Sequence, residues 1–438
     1  MSLERKRLLL VSYLFPPAGG IGVQRVLSWT RYLPALGFDV FVLSASNPSV
    51  PTLDPELVKT VPPEVTVVRT WSPEAPYKLR QKLWRGLGGK GRETRAATDQ
   101  GRSSWVKDAV RRILTPDPEV VWTPGAKWVA ARLVREHRID AVVVSAPPFS
   151  SFLVGNYLKR RFAGLRYVAD FRDEWLDFYL DAFEYGRHPA IRRRAAWIEA
   201  ETVRNADLVL SITPSCVRRI RSRYPELPDS RFVCLPNGYD PAMFEGFQPR
   251  RRRDGRIRVA HVGTVYPHST PRYYFDALER LPESLRDRFE THFIGRITPE
   301  ERRHFAGRAL RVVEKGFLPQ EQAIREMEEA DILLLTMTDP NFTSGKIYEY
   351  LATGKPILAV SPPGGEVDAV MRETGAGWLV DPADADAMAR CLREAAETFE
   401  RDGGFAPRAR EAAAKYARPR LAEQFAAMLR ELLDHAPK

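Results

Sequence analysis

The chain has 438 residues, 44% of them hydrophobic, enough for two or three domains that each bury a core. Its formal net charge of +11, from 67 Lys and Arg against 56 Asp and Glu, favours anionic partners: nucleotides, phosphates, acidic lipid surfaces or nucleic acid. Three cysteines without CxxC spacing exclude a disulfide framework and a zinc site and fit a reducing cytosol, and no apolar run approaches the ~18 residues of a membrane-spanning helix.

Short apolar runs alternate with helical patterns throughout, the signature of parallel α/β sheets. The first run, 7–13, has basic residues before it and superficially resembles a signal peptide. It ends in Pro16-Pro17 and Gly19-Gly20 with no small-residue cleavage pattern, so it reads as a buried strand. Gly19 and Gly20 then open a helix over 23–36; their lack of side chains lets an anion approach backbone N–H groups, which makes both substrate-binding candidates. Further strands are expected over 39–45, 65–70, 141–146, 166–171, 208–213 and 231–236. Helices are expected over 127–137, 149–162, 190–205 and 214–224.

The segment from Tyr77 to Arg112 holds eleven basic and three acidic residues interleaved with Trp84, Trp105 and leucines. Its flanks suit an anionic bilayer surface, and Arg192-Arg193-Arg194 with Trp197 add to that pattern. The same composition suits nucleic acid, but no recognition fold accompanies it, and no nucleic-acid partner is expected. Ser150 and Ser151 read as helix N-caps. Asp170-Phe-Arg-Asp-Glu-Trp175 is the densest charged cluster at a strand end, where ligands of parallel sheets sit. Asp170, Arg172 and Asp173 are candidates for binding ligand hydroxyls, those of an acceptor if the resemblance described below holds, and Trp175 for stacking on a sugar ring. The alternative is a loop organised by Arg172.

A basic, helix-breaking stretch, 249–255, marks the domain boundary, giving domains 1–248 and 249–415, with 416–438 returning to the first. Strands follow over 256–263, 291–295, 311–316, 332–337, 356–360 and 378–380. Helices follow over 271–281, 320–329, 345–353, 383–398 and 419–433. Arg296, just past a strand end, is placed to meet phosphate. Phe317 and Leu318 follow a strand end, where a plain tight turn is compatible; the resemblance described below implies instead that their backbone groups hydrogen-bond a nucleobase. Ser344-Gly345-Lys346 sets small residues and a cation at a helix N-terminus, where N–H groups and the dipole favour an anion. Lys346 and Glu349 are three apart and share one face. Together they suit a ligand with phosphates and hydroxyls. Asp384-Ala-Asp386 spells DxD but opens a helix and reads as a cap, and the seven histidines show no metal spacing, so no metal or other cofactor is expected.

The stretch SGKIYEYLATGKPILAV, from Ser344 to Val360, resembles the donor-binding segment of glycosyltransferase family 4 enzymes. SAPPFSSF, VADFRDEW, ETVRNADLVLSIT, FVCLPNGYD, VAHVGTVY and EKGFLPQEQAIREMEEADILLLT follow in the family's order. The resemblance implies an α/β GT-B architecture: two facing Rossmann-like domains with parallel sheets and a C-terminal crossover helix. It implies retaining transfer of a sugar from a nucleotide sugar to a carbohydrate or lipid-linked acceptor, in cell-surface polysaccharide synthesis, in the cytoplasm or peripherally at the inner membrane face. Lys346, Glu349 and Asp170 become the candidate catalytic residues. Gly19, Gly20, Arg172, Asp173, Arg296, Phe317, Leu318, Asn341, Ser344 and Gly345 become the substrate-binding ones. Glu349 matches the second of two glutamates that relatives carry, and Asn341 stands at the first. Thr264 stands where relatives place an arginine, and Phe149 and Phe152 where they present a histidine. These departures keep two rivals open: an inactive sugar-binding scaffold and a sugar-nucleotide epimerase of the same architecture.

Overall fold

The computed structural model describes residues 5–50, 53–74, 114–180, 188–250, 254–408 and 410–434. The segment from Tyr77 to Arg112 lies outside them. The chain divides into two compact units, 1–236 with 421–438, and 237–420.

In the first unit seven parallel strands are β1 (Lys6–Val11), β2 (Phe38–Ala45), β3 (Thr66–Thr70), β4 (Ala141–Ala146), β5 (Arg166–Phe171), β6 (Leu208–Ser211) and β7 (Phe232–Cys234). Their order is β3-β2-β1-β4-β5-β6-β7. Leu8 sits in register with both Val40 and Ala141, so the order reverses at the β1/β4 junction. Every residue of β4, Ala-Val-Val-Val-Ser-Ala, is buried, as a strand covered by helices on both faces must be. The connecting helices are α1 (Ile21–Tyr32), α2 (Thr123–His137), α3 (Phe152–Arg161), α4 (Pro189–Asn205) and α5 (Pro214–Ser222). Trp122, Ala130, Phe152 and Ile198 fill the core on one face of the sheet. On the other face Leu27 and Trp29 pack with Phe425 and Leu429 of the C-terminal helix, the Trp29 and Phe425 rings 4.6 Å apart.

The second unit repeats the plan. Its strands are β8 (Ile257–Val262), β9 (Phe289–Ile294), β10 (Arg311–Gly316), β11 (Ile332–Thr336), β12 (Ile357–Val360) and β13 (Gly377–Val380), ordered β10-β9-β8-β11-β12-β13 and all parallel. Helices α6 (Arg272–Leu278), α7 (Gln320–Glu329), α8 (Lys346–Thr353), α9 (Glu366–Thr374) and α10 (Ala385–Asp402) cover it, and α11 (Arg418–Asp434) closes the chain. Residues 237–248 belong to this unit, because Tyr239 and Phe247 bury themselves in its core beside Tyr348 and Tyr416. Each sheet reverses its order once, after β1 and β4 in the first unit and after β8 and β11 in the second. Loops at such reversals are where open α/β sheets hold ligands.

The strands and long helices lie where the sequence pattern puts them. One expectation needs correction: Ser150 and Ser151 do not cap a helix. Both hydroxyls are buried without a hydrogen-bond partner, and the Ser150 N–H is received instead by the Asp117 carboxylate at 2.9 Å.

Candidate functional site

The second unit builds its site around the start of α8. Ile347, Tyr348, Tyr350 and Leu351 turn one face of this helix into the core. The Tyr350 hydroxyl accepts from the Val262 N–H at 2.7 Å, fixing α8 against the end of β8. The helix start is thereby held beside the order reversal. The Ser344 hydroxyl accepts from the Lys346 N–H at 3.3 Å, so Ser344 and Gly345 lie directly at the helix entrance. The ammonium of Lys346 meets the Glu349 carboxylate at 2.7 Å, and the two side chains are 26% and 11% exposed. A cation in the first turn opposes the helix dipole, whereas a carboxylate suits it. Glu349 balances that misplaced charge, and an incoming anion would do so too.

The loop between β11 and α8 is pre-shaped. Asp339 accepts from both the N–H and the side-chain amide of Asn341, at 2.9 and 3.1 Å. The Thr338 N–H donates to the His268 carbonyl at 3.0 Å, tying this loop to the one after β8. Gly263 and Gly295 end β8 and β9, and their backbones touch: the Gly263 N–H donates to Ile294 at 2.8 Å, and a Cβ on Gly295 would lie 2.0 Å from the Gly263 carbonyl oxygen. Thr264 and Arg296 follow these glycines and are exposed. At the end of β10 the Gly316 carbonyl accepts from the Gly295 N–H at 2.7 Å, and just past it Phe317 projects with 77% of its surface exposed. Leu318 packs against the core.

Sequence reasoning passed over His261 as one of several scattered histidines. It lies buried near the end of β8, and its Nδ1–H donates to the Leu334 carbonyl at 3.0 Å. That bond leaves Nε2 as an acceptor, and it has no partner. Burial, aided by the nearby charge of Lys346, pulls its pKa down to about 4, so the ring is neutral at pH 7. Its only sequence signal is a polar residue between Ala260 and Val262 at the buried end of β8.

In the first unit the charged cluster after β5 is knitted inward. Asp170 is fully buried; Arg25 donates to both of its oxygens at 2.9 to 3.1 Å, and the Ser145 hydroxyl adds a bond at 2.7 Å. Arg25 also donates to the Leu235 and Pro236 carbonyls. Arg172 reaches the carbonyls of Gly22, Ala146 and Pro147, so it laces the start of α1 and the end of β4 to the loop after β5. Gly19 and Gly20 sit in the loop between β1 and α1, Gly20 exposed. Asp173 is half-buried, and burial pushes its pKa up to about 6, opposed by Arg172. Trp175 is not open to a sugar ring as expected. It is 1% exposed and stacks on Phe149 at 4.4 Å with planes 5° apart, within a cluster that includes Phe152 and Phe171. Arg25 and Ser145 are the residues sequence reading did not pair with Asp170.

Asp384 caps α10 through the Ala387 N–H at 2.7 Å, and Asp386 pairs with Arg280 at 2.6 Å. Among the described residues no group of three or more His, Cys, Asp or Glu is arranged to hold a metal ion, and no helix is long and apolar enough to cross a membrane.

Comparison with known proteins bears on both units. The glycosyl transferase 4-like domain model matches residues 19–238, and the glycosyl transferases group 1 model matches 256–398. The probable glycosyltransferase WbjE of Pseudomonas aeruginosa is 34% identical over 124 residues, which are 28% of this chain and 31% of that protein, so the match spans about a third of its length. Among solved structures, sucrose-phosphate synthase of Thermosynechococcus elongatus superposes with a TM-score of 0.61 at 18% identity, covering 98% of this chain and 99% of that one. HepE of Anabaena, solved with UDP and glucose, superposes with a TM-score of 0.62 at 14% identity, covering 97% and 99%. At such identities the likeness shows the fold, which is GT-B.

Proposed function

The chain belongs to the glycosyl transferase 4-like family, and from that premise we propose that it moves a sugar, with retention, from a nucleotide-sugar donor to a carbohydrate or lipid-linked acceptor in cell-surface polysaccharide synthesis. The observation that carries this reading is the Lys346–Glu349 pair at the start of α8, beside the sheet's order reversal. Lys346 and the N–H groups near Ser344 and Gly345 receive the diphosphate, and Glu349 holds ribose hydroxyls. Arg296 adds a second cation. Phe317 and Leu318 line the base, Phe317 through its exposed ring. Asn341 takes the place of the first family glutamate and presents an amide to the sugar. As the glycosidic bond breaks, negative charge grows on the diphosphate, and these fixed donors stabilise it without reorganising.

The acceptor lies with the first unit, toward Gly19, Gly20, Asp170, Arg172 and Asp173. Asp170 acts there by holding Arg25 and the surrounding loops, with Asp173 the nearer group to an acceptor hydroxyl. No metal is required on this reading, because Lys346 and backbone amides serve the leaving group. The work is cytoplasmic, peripheral to an anionic membrane face through Tyr77 to Arg112.

The testing experiment is a thermal-shift panel of UDP-, GDP- and dTDP-sugars followed by turnover of the stabilising donor with glycan and lipid-linked acceptors. Donor at 100 times its Kd adds ~2.7 kcal/mol of stability. The scaffold reading draws on the exposed Thr264 and the sealed Asp170. Stabilisation by a donor without turnover on any acceptor would favour it.

A further inference from the structure

The loop between β11 and α8 is fixed from both flanks. On one side the His268 carbonyl accepts from the Thr338 N–H at 3.0 Å and from the Thr338 hydroxyl at 3.3 Å, and the hydroxyls of Ser269 and Thr336 meet at 3.1 Å. On the other side stands the start of α9. The Pro340 carbonyl accepts from the Glu366 N–H at 2.8 Å. Gly365 lies so close that a Cβ there would sit 2.5 Å from the Pro340 oxygen and 2.8 Å from its Cα, nearer than a carbon can stand to backbone. Gly365 has φ −88° and ψ −177°, a conformation any residue adopts. The contact with Pro340 alone excludes a side chain.

Helix α9 cannot easily yield to relieve such a contact. Val367, Val370 and Met371 anchor it in the core, and Asp368 in its first turn accepts from the Gly364 N–H at 2.6 Å. Helix α8 is anchored separately, through Tyr350 and Val262. A side chain at 365 therefore displaces the loop around Pro340 and leaves Lys346 and Glu349 in place. Asp339 holds Asn341 by two hydrogen bonds, so the Asn341 amide moves with that loop. Thr343 in the loop and Ser361 just past β12 each bury a hydroxyl oxygen that has no partner. A buried hydroxyl left unmet costs stability, and one on each of the two segments that meet here suits a ligand rich in hydroxyls.

We propose that Gly365 is a positioning residue that sets the shape of the sugar-binding part of the donor site, so that the loop after β12 selects the sugar while α8 holds the diphosphate. This division of labour presupposes the donor site proposed above and adds to it the segment that governs sugar choice.

The test is calorimetric binding of UDP-, GDP- and dTDP-glucose, each beside its free nucleoside diphosphate, to the parent, Gly365→Ala and Gly364→Ala, at a temperature where all are folded. Gly364 has φ +73° with open space around it, so alanine there strains the backbone without pressing on Pro340. For the nucleotide that the parent binds best, Gly365→Ala should raise the Kd of the sugar-bearing form ~tenfold or more, the loss of about one hydrogen bond, and leave that of the free diphosphate within ~twofold. Gly364→Ala should lose stability and keep both affinities. Pro340→Gly, a change at an exposed position that loosens the loop without crowding α9, should also weaken the sugar-bearing form selectively. Parent-like affinity of a folded Gly365→Ala for the sugar-bearing form would overturn the proposal. So would equal weakening of both forms, which would mean that α8 moves with the loop. With Gly365→Ala unfolded, parent-like affinity of Pro340→Gly for the sugar-bearing form overturns it. A parent that binds none of the six ligands would sink the donor site itself, an outcome distinct from these.

Discussion

Arg25 lays its guanidinium across both oxygens of Asp170, at 2.9 to 3.1 Å, from a position 145 residues earlier in the chain. Both side chains are buried, at 6% and 0% exposure. This pair pins α1 to the end of β5 and holds the loops at the first sheet's order reversal.

Removing one partner strands the other charge away from water. Asp170→Ala should therefore cost ~3–5 kcal/mol, whereas Arg25→Leu/Asp170→Leu should recover part of that loss. Denaturant midpoints of the three proteins decide it. A cost under ~1 kcal/mol for the single change, the range of an exposed pair, would mean the bond is not formed in solution.

Asp173 gives a pH signature. Burial, opposed by Arg172 and reinforced by Asp170, raises its pKa from 3.8 to about 6. The folded chain then holds this proton more tightly than the unfolded chain. The contribution to stability is complete below the unfolded pKa and is lost as pH rises through about 6. Parent stability minus that of Asp173→Asn should thus fall between pH ~4 and ~6 and stay level above. A level difference throughout would show that Asp173 does not titrate in that window.

The paired glycines of the second unit make a steric prediction. Gly295 has φ +140°, and a Cβ there would lie 2.0 Å from the Gly263 carbonyl oxygen, so backbone must move. Gly246 has φ +77° with open space around it. Gly295→Ala should cost ~2 kcal/mol or more and Gly246→Ala ~1 kcal/mol. Equal costs in chemical denaturation would contradict the close approach of the two loops.

Much of this architecture was legible in the residues. Apolar runs such as Leu-Leu-Leu-Val and Ile-Leu-Leu-Leu can only be buried strands, and their alternation with amphipathic stretches dictates parallel sheets. Helix α9 was missed although it carries start and stop signals: Glu366 and Asp368 in its first turn and Gly375 in a left-handed cap. Its apolar residues, Val367, Val370 and Met371, were too few to stand out. At the site, Lys346 and Glu349 were readable because a helix makes neighbours of residues three apart. Arg25 with Asp170, and Asp117 with Ser150, were not, because only the folded sheet brings such distant positions together. Trp175 was misread for the same reason: nothing local reveals that Phe149 covers it.

Phe317 separates binding from folding. With 77% exposure its side chain contributes little to the core. Phe317→Ser should leave the unfolding midpoint within ~0.5 kcal/mol of the parent and weaken nucleotide binding by ~1 kcal/mol or more through lost stacking on the base. Intact affinity in calorimetry would place the base elsewhere.

Glu349 and Lys346 are the side chains that bind the donor on the proposed function. The deciding measurement is calorimetric affinity of the parent and Glu349→Ala for the nucleotide sugar that stabilises the parent most. Loss of a charge-assisted hydrogen bond to the ribose should cost ~1–3 kcal/mol, roughly a five- to 150-fold rise in Kd, read at a temperature where both proteins are fully folded, because the change also unpairs Lys346. An unchanged Kd for Glu349→Ala would contradict the assignment of the donor to the start of α8.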